Sequence, residues 1–150
     1  SILADLLPYL DAANIDLKAF SDDFYKRVCG GRLQPVLDTI LAMHDAGVWV
    51  ELTNLIIPST DGRNSVNHHP FSDGQSVADM TLGNDDLPMI RRMCRWLAEN
   101  GLANAPLHFS RFFPRHKMQH IPPTPIHTLK AAKQVAEEEG IRYVYLGNVR

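Results

Sequence analysis

Asp16 and Lys18 stand two positions apart in the run Asn14-Ile15-Asp16-Leu17-Lys18, where polar residues alternate with the apolar Ala13, Ile15 and Leu17. In a strand such positions share a face, so Asn14, Asp16 and Lys18 project together. A carboxylate and an ammonium group side by side suit ligand binding, since lysine makes charge-assisted hydrogen bonds to anions. The run leads into a helix start at Ser21-Asp22-Asp23. Strand ends that feed helices are where α/β enzymes hold their ligands. A half-buried edge strand with a solvated face produces the same pattern, and the run alone does not separate the two.

A second strand, Trp49 to Ile57, stops at Pro58 and carries strongly β-favouring residues. Its alternation sets Glu51, Thr53, Leu55 and Ile57 on one face and Val50, Leu52 and Ile56 on the other. The apolar set is expected against helices, which turns Glu51 and Thr53 toward a shared interior.

Other residues with chemical potential read more simply as structure. Cys29 and Cys94 are too far apart in sequence to form a local metal-binding pair, and two lone thiols fit a reducing, cytoplasmic setting. His44 falls on a helical apolar stripe and reads as a boundary histidine. His68-His69 has no spaced acid or thiol partner and reads as a pair of solvated loop histidines.

The chain has 150 residues, 45% hydrophobic and 21% charged, with a net charge of -2. That is the composition of one ordinary globular domain. The charge supplies no basic field, so no nucleic-acid partner is expected. No apolar run reaches the ~20 residues of a membrane span, and no membrane association is expected.

The elements alternate. A helix tail over Leu3–Leu7 stops near Pro8. Strand one covers Ala12–Lys18, and the helix from Ser21 ends at Gly30-Gly31. A helix with Pro35 in its first turn carries Leu33, Val36, Leu37, Ile40, Leu41 and His44 on one stripe and closes at Gly47. After strand two comes a long loop over residues 59–85, of the length usual for a functional segment or an insertion. A helix follows with Leu87, Ile90, Cys94 and Leu97 on one stripe, and with Arg91, Arg92 and Arg95 expected on a solvated face. Strand three spans Leu107–Phe113, a helix runs from Ile126 to Glu139, and Tyr143–Leu146 forms strand four. Strands separated by helices pair in parallel through right-handed crossovers. The expected fold class is α/β, a partial β/α barrel with about four parallel strands. No Gly-rich phosphate loop follows any strand, which counts against a Rossmann-type nucleotide site.

Four stretches, in this order, carry a family resemblance: NIDLKAF (residues 14–20), ELTNLIIP (51–58), PLHFSRFFP (106–114) and YVYLGNV (143–149). Together they resemble the C-terminal half of radical S-adenosylmethionine enzymes. The similarity is to pyruvate formate-lyase activating enzymes and, within that group, to the AmmeMemoRadiSam-system branch. The resemblance implies a TIM-like partial barrel, an S-adenosylmethionine cofactor and a four-iron, four-sulfur cluster. It implies an activity that makes a 5′-deoxyadenosyl radical to abstract hydrogen from a protein or small-molecule substrate. An electron donor such as flavodoxin or ferredoxin is the implied partner.

Carried onto this sequence, the resemblance makes Asp16 and Lys18 contacts of the ribose and methionine ends of the cofactor. Thr53 stands where those enzymes carry an arginine, and Phe113 where they carry a ribose-contacting histidine. Here Phe113 is left to stack, for example against adenine. His108, Ser110 and Arg111 are candidate cofactor or substrate contacts, but the strand is too short to fix which of them face inward.

The three-cysteine loop of the family, C-x3-C-x2-C, is absent, and so is its Gly-Gly-Glu strand motif. Gly30-Gly31 follows a helix and does not replace it. The chain is therefore expected to be the C-terminal part of such a domain, without its first three strands, inactive alone and binding no metal. A barrel cut in this way is expected to expose a strand edge and an apolar face and to self-associate. Two other readings of the same residues are a β/α-barrel lyase using Lys18 as a Schiff base and a non-enzymatic module docking a partner through residues 59–85.

Overall fold

The computed structural model describes residues 2–60 and 83–149. His68-His69 and most of the long loop lie outside the described residues. Helix α1 (Ile2–Leu6) runs into a 3-10 turn, Leu7–Tyr9, where Pro8 stands. Strand β1 (Ala12–Asp16) leads to a short helix α2 (Asp22–Phe24), which widens into a π turn over Tyr25–Cys29. Ser21 caps this helix by accepting from the Phe24 N–H, and Gly30 ends it at φ 67°, a left-handed conformation that favours glycine.

Helix α3 (Leu33–Asp45) has no side-chain cap on its own flanking residue Arg32. Asp22 supplies one from a distance by accepting from the Leu33 N–H at 3.1 Å. Lys26 lies 2.6 Å from the same carboxylate. That hydrogen bond, followed by the one from Leu33, holds the Asp22 carboxyl below its ordinary value.

Strand β2 (Trp49–Ile56), helix α4 (Leu87–Glu99), strand β3 (Leu107–Arg111), helix α5 (Ile126–Glu138) and strand β4 (Val144–Gly147) complete the order. The four strands form one parallel sheet in the order β1-β2-β3-β4. The expected fold class is found.

The buried strand residues share one parity. Val50, Leu52 and Ile56 of β2, Leu107 and Phe109 of β3, and Val144 of β4 are all buried. They form one core with Leu37 and Ile40 of α3, Ile90, Met93, Cys94 and Leu97 of α4, and Leu129, Ala132 and Ala136 of α5. In a doubly wound sheet, strands are apolar on both faces. Here the opposite parity carries Asn14, Asp16, Glu51, Thr53, His108 and Ser110 beside the exposed Trp49 and Tyr145, as in a segment of barrel with helices outside. Among the described residues, helices cover the other side of the sheet.

The strands end slightly earlier than the sequence suggests. After Asp16 only one more ladder bond forms, from the Leu17 N–H to the Thr53 carbonyl. After Arg111, Phe112 leaves the sheet to exchange hydrogen bonds with Thr124.

The arginines of α4 lie on a solvated face, as expected, and two of them make ion pairs there. Arg92 is exposed, while Arg91 binds Glu138 at 2.6 Å and Glu139 at 2.7 Å, and Arg95 binds Glu139 at 3.0 Å. These bonds join α4 to the C-terminal end of α5. His44 is half-buried near Gly101, as a boundary histidine.

Candidate functional site

Parallel register puts one residue from each strand in a row across the open face. Asp16 pairs with Thr53, Thr53 with His108, and His108 with Tyr145. Toward the strand starts, Asn14 pairs with Glu51. Toward the strand ends, Leu55 pairs with Ser110 and Ser110 with Gly147. Residues paired in this way share a face, so the structure brings Asp16, Thr53, His108 and Ser110 together. Lys18 reaches the same side, with its Nζ donating to Asp16 Oδ2 at 2.7 Å.

Four contacts organise the face. Thr53 Oγ1 donates to Asn14 Oδ1 at 2.9 Å. His108 Nε2 lies 3.0 Å from Glu51 Oε2, and Trp49 Nε1 donates to the other oxygen at 3.3 Å. The His108 ring stacks on Tyr145, with centroids 5.2 Å apart and planes inclined by 25°. Ser110 and Gly147 are in close approach, since a Cβ on Gly147 would lie 3.0 Å from Ser110 Oγ.

Arg111 and Phe113 belong elsewhere. Arg111 has the parity of Leu107 and Phe109, on the helix side of the sheet. Its Nε donates to the Thr124 carbonyl at 2.7 Å, and its guanidinium lies 4.8 Å from the Phe113 ring centre. That placement gives a cation–π contact. Phe113, Leu146, Asn148 and Val149 line an open depression of about 590 Å³ beyond the strand ends. The sequence candidates thus divide: Asp16, Lys18, Thr53, His108 and Ser110 share the polar face, and Arg111 and Phe113 lie off it.

The backbone at Lys18 is held by side chains that the sequence reading did not single out. Asn54 Nδ2 donates to the carbonyls of Leu17 at 2.7 Å and Lys18 at 3.1 Å. Asn84 Nδ2 donates to the Lys18 carbonyl and, at 2.9 Å, to that of Leu55, while its Oδ1 accepts from the Ile57 N–H at 2.6 Å. The Lys18 N–H donates to the Tyr25 hydroxyl at 3.0 Å. Burial pushes the Tyr25 phenol above its ordinary value, which keeps it a neutral acceptor. Asn54 and Asn84 are both fully buried. Buried strand-end groups need partners wherever the ladder stops, and these amides supply them. Among the described residues one atom is left over: Asn54 Oδ1 is buried with no hydrogen-bond partner.

A signal for Asn54 was present, because it is the one polar residue on the face shared by Val50, Leu52 and Ile56. Asn84 carried none, in a stretch without periodicity. Cys94 is buried, with its thiol pushed up to about 12, chiefly by burial. It is a core residue, as expected. Cys29 is exposed. Among the described residues, no three His, Cys, Asp or Glu side chains gather where they could hold a metal ion. Among them, too, no helix is long and apolar enough to cross a membrane.

No family model matches the chain. A curated relative, an uncharacterized protein of Methanocaldococcus jannaschii, is 39% identical over 140 residues. That alignment covers 93% of this chain and 35% of the relative, so the chain spans about a third of that protein's length. Among solved structures, a domain of pyruvate-formate lyase-activating enzyme from Bacteroides vulgatus ATCC 8482 is similar, with a TM-score of 0.66. The match covers 97% of this chain and 73% of that one at 15% identity. The two share a fold.

Proposed function

We propose that this chain is part of a radical S-adenosylmethionine enzyme of the activating-enzyme kind, and that its polar strand face contributes to the cofactor and substrate cavity. The observation that carries this reading is the fold shared, over 97% of the chain, with a domain of a pyruvate-formate lyase-activating enzyme. The sequence stretches at the strand ends support it.

In this reading Lys18 gives a positive charge to the cofactor's carboxylate and Asp16 accepts from a ribose hydroxyl. Thr53, His108 and Ser110 line the same cavity, with Phe113 beyond the strand ends, while Arg111 lies on the helix side of the sheet and is no longer assigned a contact. The Lys18–Asp16 pair fits such a role, since the side chains are 37% and 55% exposed and so within reach of a ligand. S-adenosylmethionine supplies a hydrogen-abstracting radical in such enzymes. An iron-sulfur cluster does not fit the residues described here. Cys29 and Cys94 are two thiols in different settings, one exposed and one in the core, whereas a cluster takes thiolates converging on one point. Cluster ligands therefore belong to other parts of the proposed enzyme, and the electron donor is a separate partner such as flavodoxin or ferredoxin.

The Schiff-base alternative needs an unprotonated Lys18 amine. The carboxylate at 2.7 Å binds it as an ammonium ion, which favours the anion-binding role.

The test is reductive cleavage of S-adenosylmethionine by the complete gene product, prepared without oxygen and read as 5′-deoxyadenosine formed. Lys18→Ala is expected to weaken cofactor binding by about 1.5–3 kcal/mol, the range for a hydrogen bond to a charged group. No cleavage by the wild type would refute the reading, and unchanged affinity in the variant would remove Lys18 from the site.

A further inference from the structure

Among the described residues, the Glu51–His108–Tyr145 cluster is the place on the polar face where two acid–base groups meet across strands. His108 Nε2 faces Glu51 Oε2 at 3.0 Å. Glu51 is itself fixed, because its second oxygen accepts from Trp49 Nε1 at 3.3 Å. Tyr145 stacks on the imidazole and sets its plane. A carboxylate accepts only, so a neutral His108 must carry its proton on Nε2 and present Nδ1 as an acceptor. Both side chains remain about one-third exposed, 33% for His108 and 36% for Glu51. The charged neighbours on the face are Asp16 and Lys18 of the adjoining strand, and these are already paired with one another.

A partly exposed base oriented by a second group, with one ring nitrogen engaged by that group, is the arrangement of general-base catalysis. We propose that His108 is a general base, oriented by Glu51 and Tyr145, for a substrate presenting a weakly acidic O–H, N–H or C–H proton to the polar face. In the step the X–H bond breaks and its electron pair stays on X. The proton moves to Nδ1, and the carboxylate of Glu51 stabilises the imidazolium through Nε2–H. Glu51 is a positioning residue, since it acts through His108. The proposal goes beyond the radical reading and does not rest on it, because the step needs neither cluster nor S-adenosylmethionine.

The experiment uses 5-nitrobenzisoxazole with the complete gene product, prepared without cofactor. A base removes its C3 proton, the ring N–O bond breaks, and a coloured cyanophenolate forms with the electron pair on oxygen. The wild type is expected to exceed free imidazole at equal concentration. His108→Gln is expected to lose most of that excess, about a hundredfold if the base acts as such groups commonly do. Glu51→Gln keeps the shape but removes the charge, and is expected to lower the rate about tenfold. Arg92→Ala, on the exposed side of α4, is expected to match the wild type. Circular dichroism of each variant separates loss of the base from loss of the fold, and Glu51→Asp is expected to recover part of the rate. The proposal is overturned if the wild type does not exceed imidazole, if folded His108→Gln keeps the wild-type rate, or if Glu51→Gln equals the wild type.

Discussion

Asn84→Ala is the perturbation for which the structure predicts the largest loss from a residue outside the hydrophobic core. The Asn84 amide is fully buried and serves three backbone groups: the carbonyls of Lys18 and Leu55 and the N–H of Ile57. Truncation removes all three bonds. The Lys18 carbonyl keeps its bond from Asn54 at 3.1 Å, so two groups, the Leu55 carbonyl and the Ile57 N–H, lose the side-chain partner that the strand ends depend on. Each buried polar group left without a partner costs about 1–3 kcal/mol. The expected loss is therefore about 2–6 kcal/mol, before any cavity left by the missing amide. Against a typical domain stability of about 5–15 kcal/mol this is severe.

Urea unfolding followed by circular dichroism, extrapolated linearly to water, measures the loss. Asn84→Asp sharpens the test. A carboxylate keeps the acceptor for Ile57 but cannot donate to Leu55 or Lys18, and it buries a charge. It should be no more stable than Asn84→Ala. A loss below about 1 kcal/mol in Asn84→Ala would refute the argument, since it would mean that the stranded groups find other partners at no cost.

Cys29 is expected to react with a thiol reagent in the native protein, while Cys94, buried and with its thiol pushed up to about 12, reacts only after unfolding; equal labelling of both in the native state would refute this. Hydrogen bonds from Arg95 and then Arg91 hold the Glu139 carboxyl below its ordinary 4.5. A carboxyl lowered on folding adds stability that is present above the unfolded value and lost as pH falls through the folded one. The melting temperature of the wild type should therefore exceed that of Glu139→Gln near neutrality, and the gap should narrow below pH 4.5; a gap independent of pH would refute the linkage. Gly147→Ala should destabilise by about 1–3 kcal/mol, the usual cost of overpacking, because its Cβ would meet Ser110 Oγ at 3.0 Å. Ser110→Ala should recover most of that loss in the double variant, and strict additivity would rule the contact out.

The sequence made the elements legible where local rules operate. Ser21 and Gly30-Gly31 bracket their helix because a hydroxyl cap and a left-handed glycine act within a few residues. The alternation along Trp49–Ile56 revealed which face of β2 is buried, since β periodicity is local too. Long-range pairings were out of reach. Nothing in β2 announces that Glu51 meets His108, or that Arg91 meets Glu138 and Glu139, because both depend on how separate elements are juxtaposed. Arg111 shows the same limit in reverse. Its sequence neighbours Ser110 and His108 suggested one site, yet on a short strand one step of parity carried it to the other side of the sheet.

The register that builds the polar row is itself set by the core. Asp16, Thr53, His108 and Tyr145 align only because Leu52 pairs with Leu107, and Leu107 with Val144, on the helix side. Sliding β2 by one residue would turn Leu52 and Ile56, both fully buried, onto the open face and drive Glu51 and Thr53 into the core. Exposing two such side chains costs about 1.5–3 kcal/mol each, and burying an unpaired carboxylate costs more. The apolar half of each strand thus holds the polar half in place. Conservative changes at Leu52 or Leu107 should therefore disturb the alignment of Thr53 with His108 before they unfold the sheet, which makes these core positions indirect determinants of the candidate site.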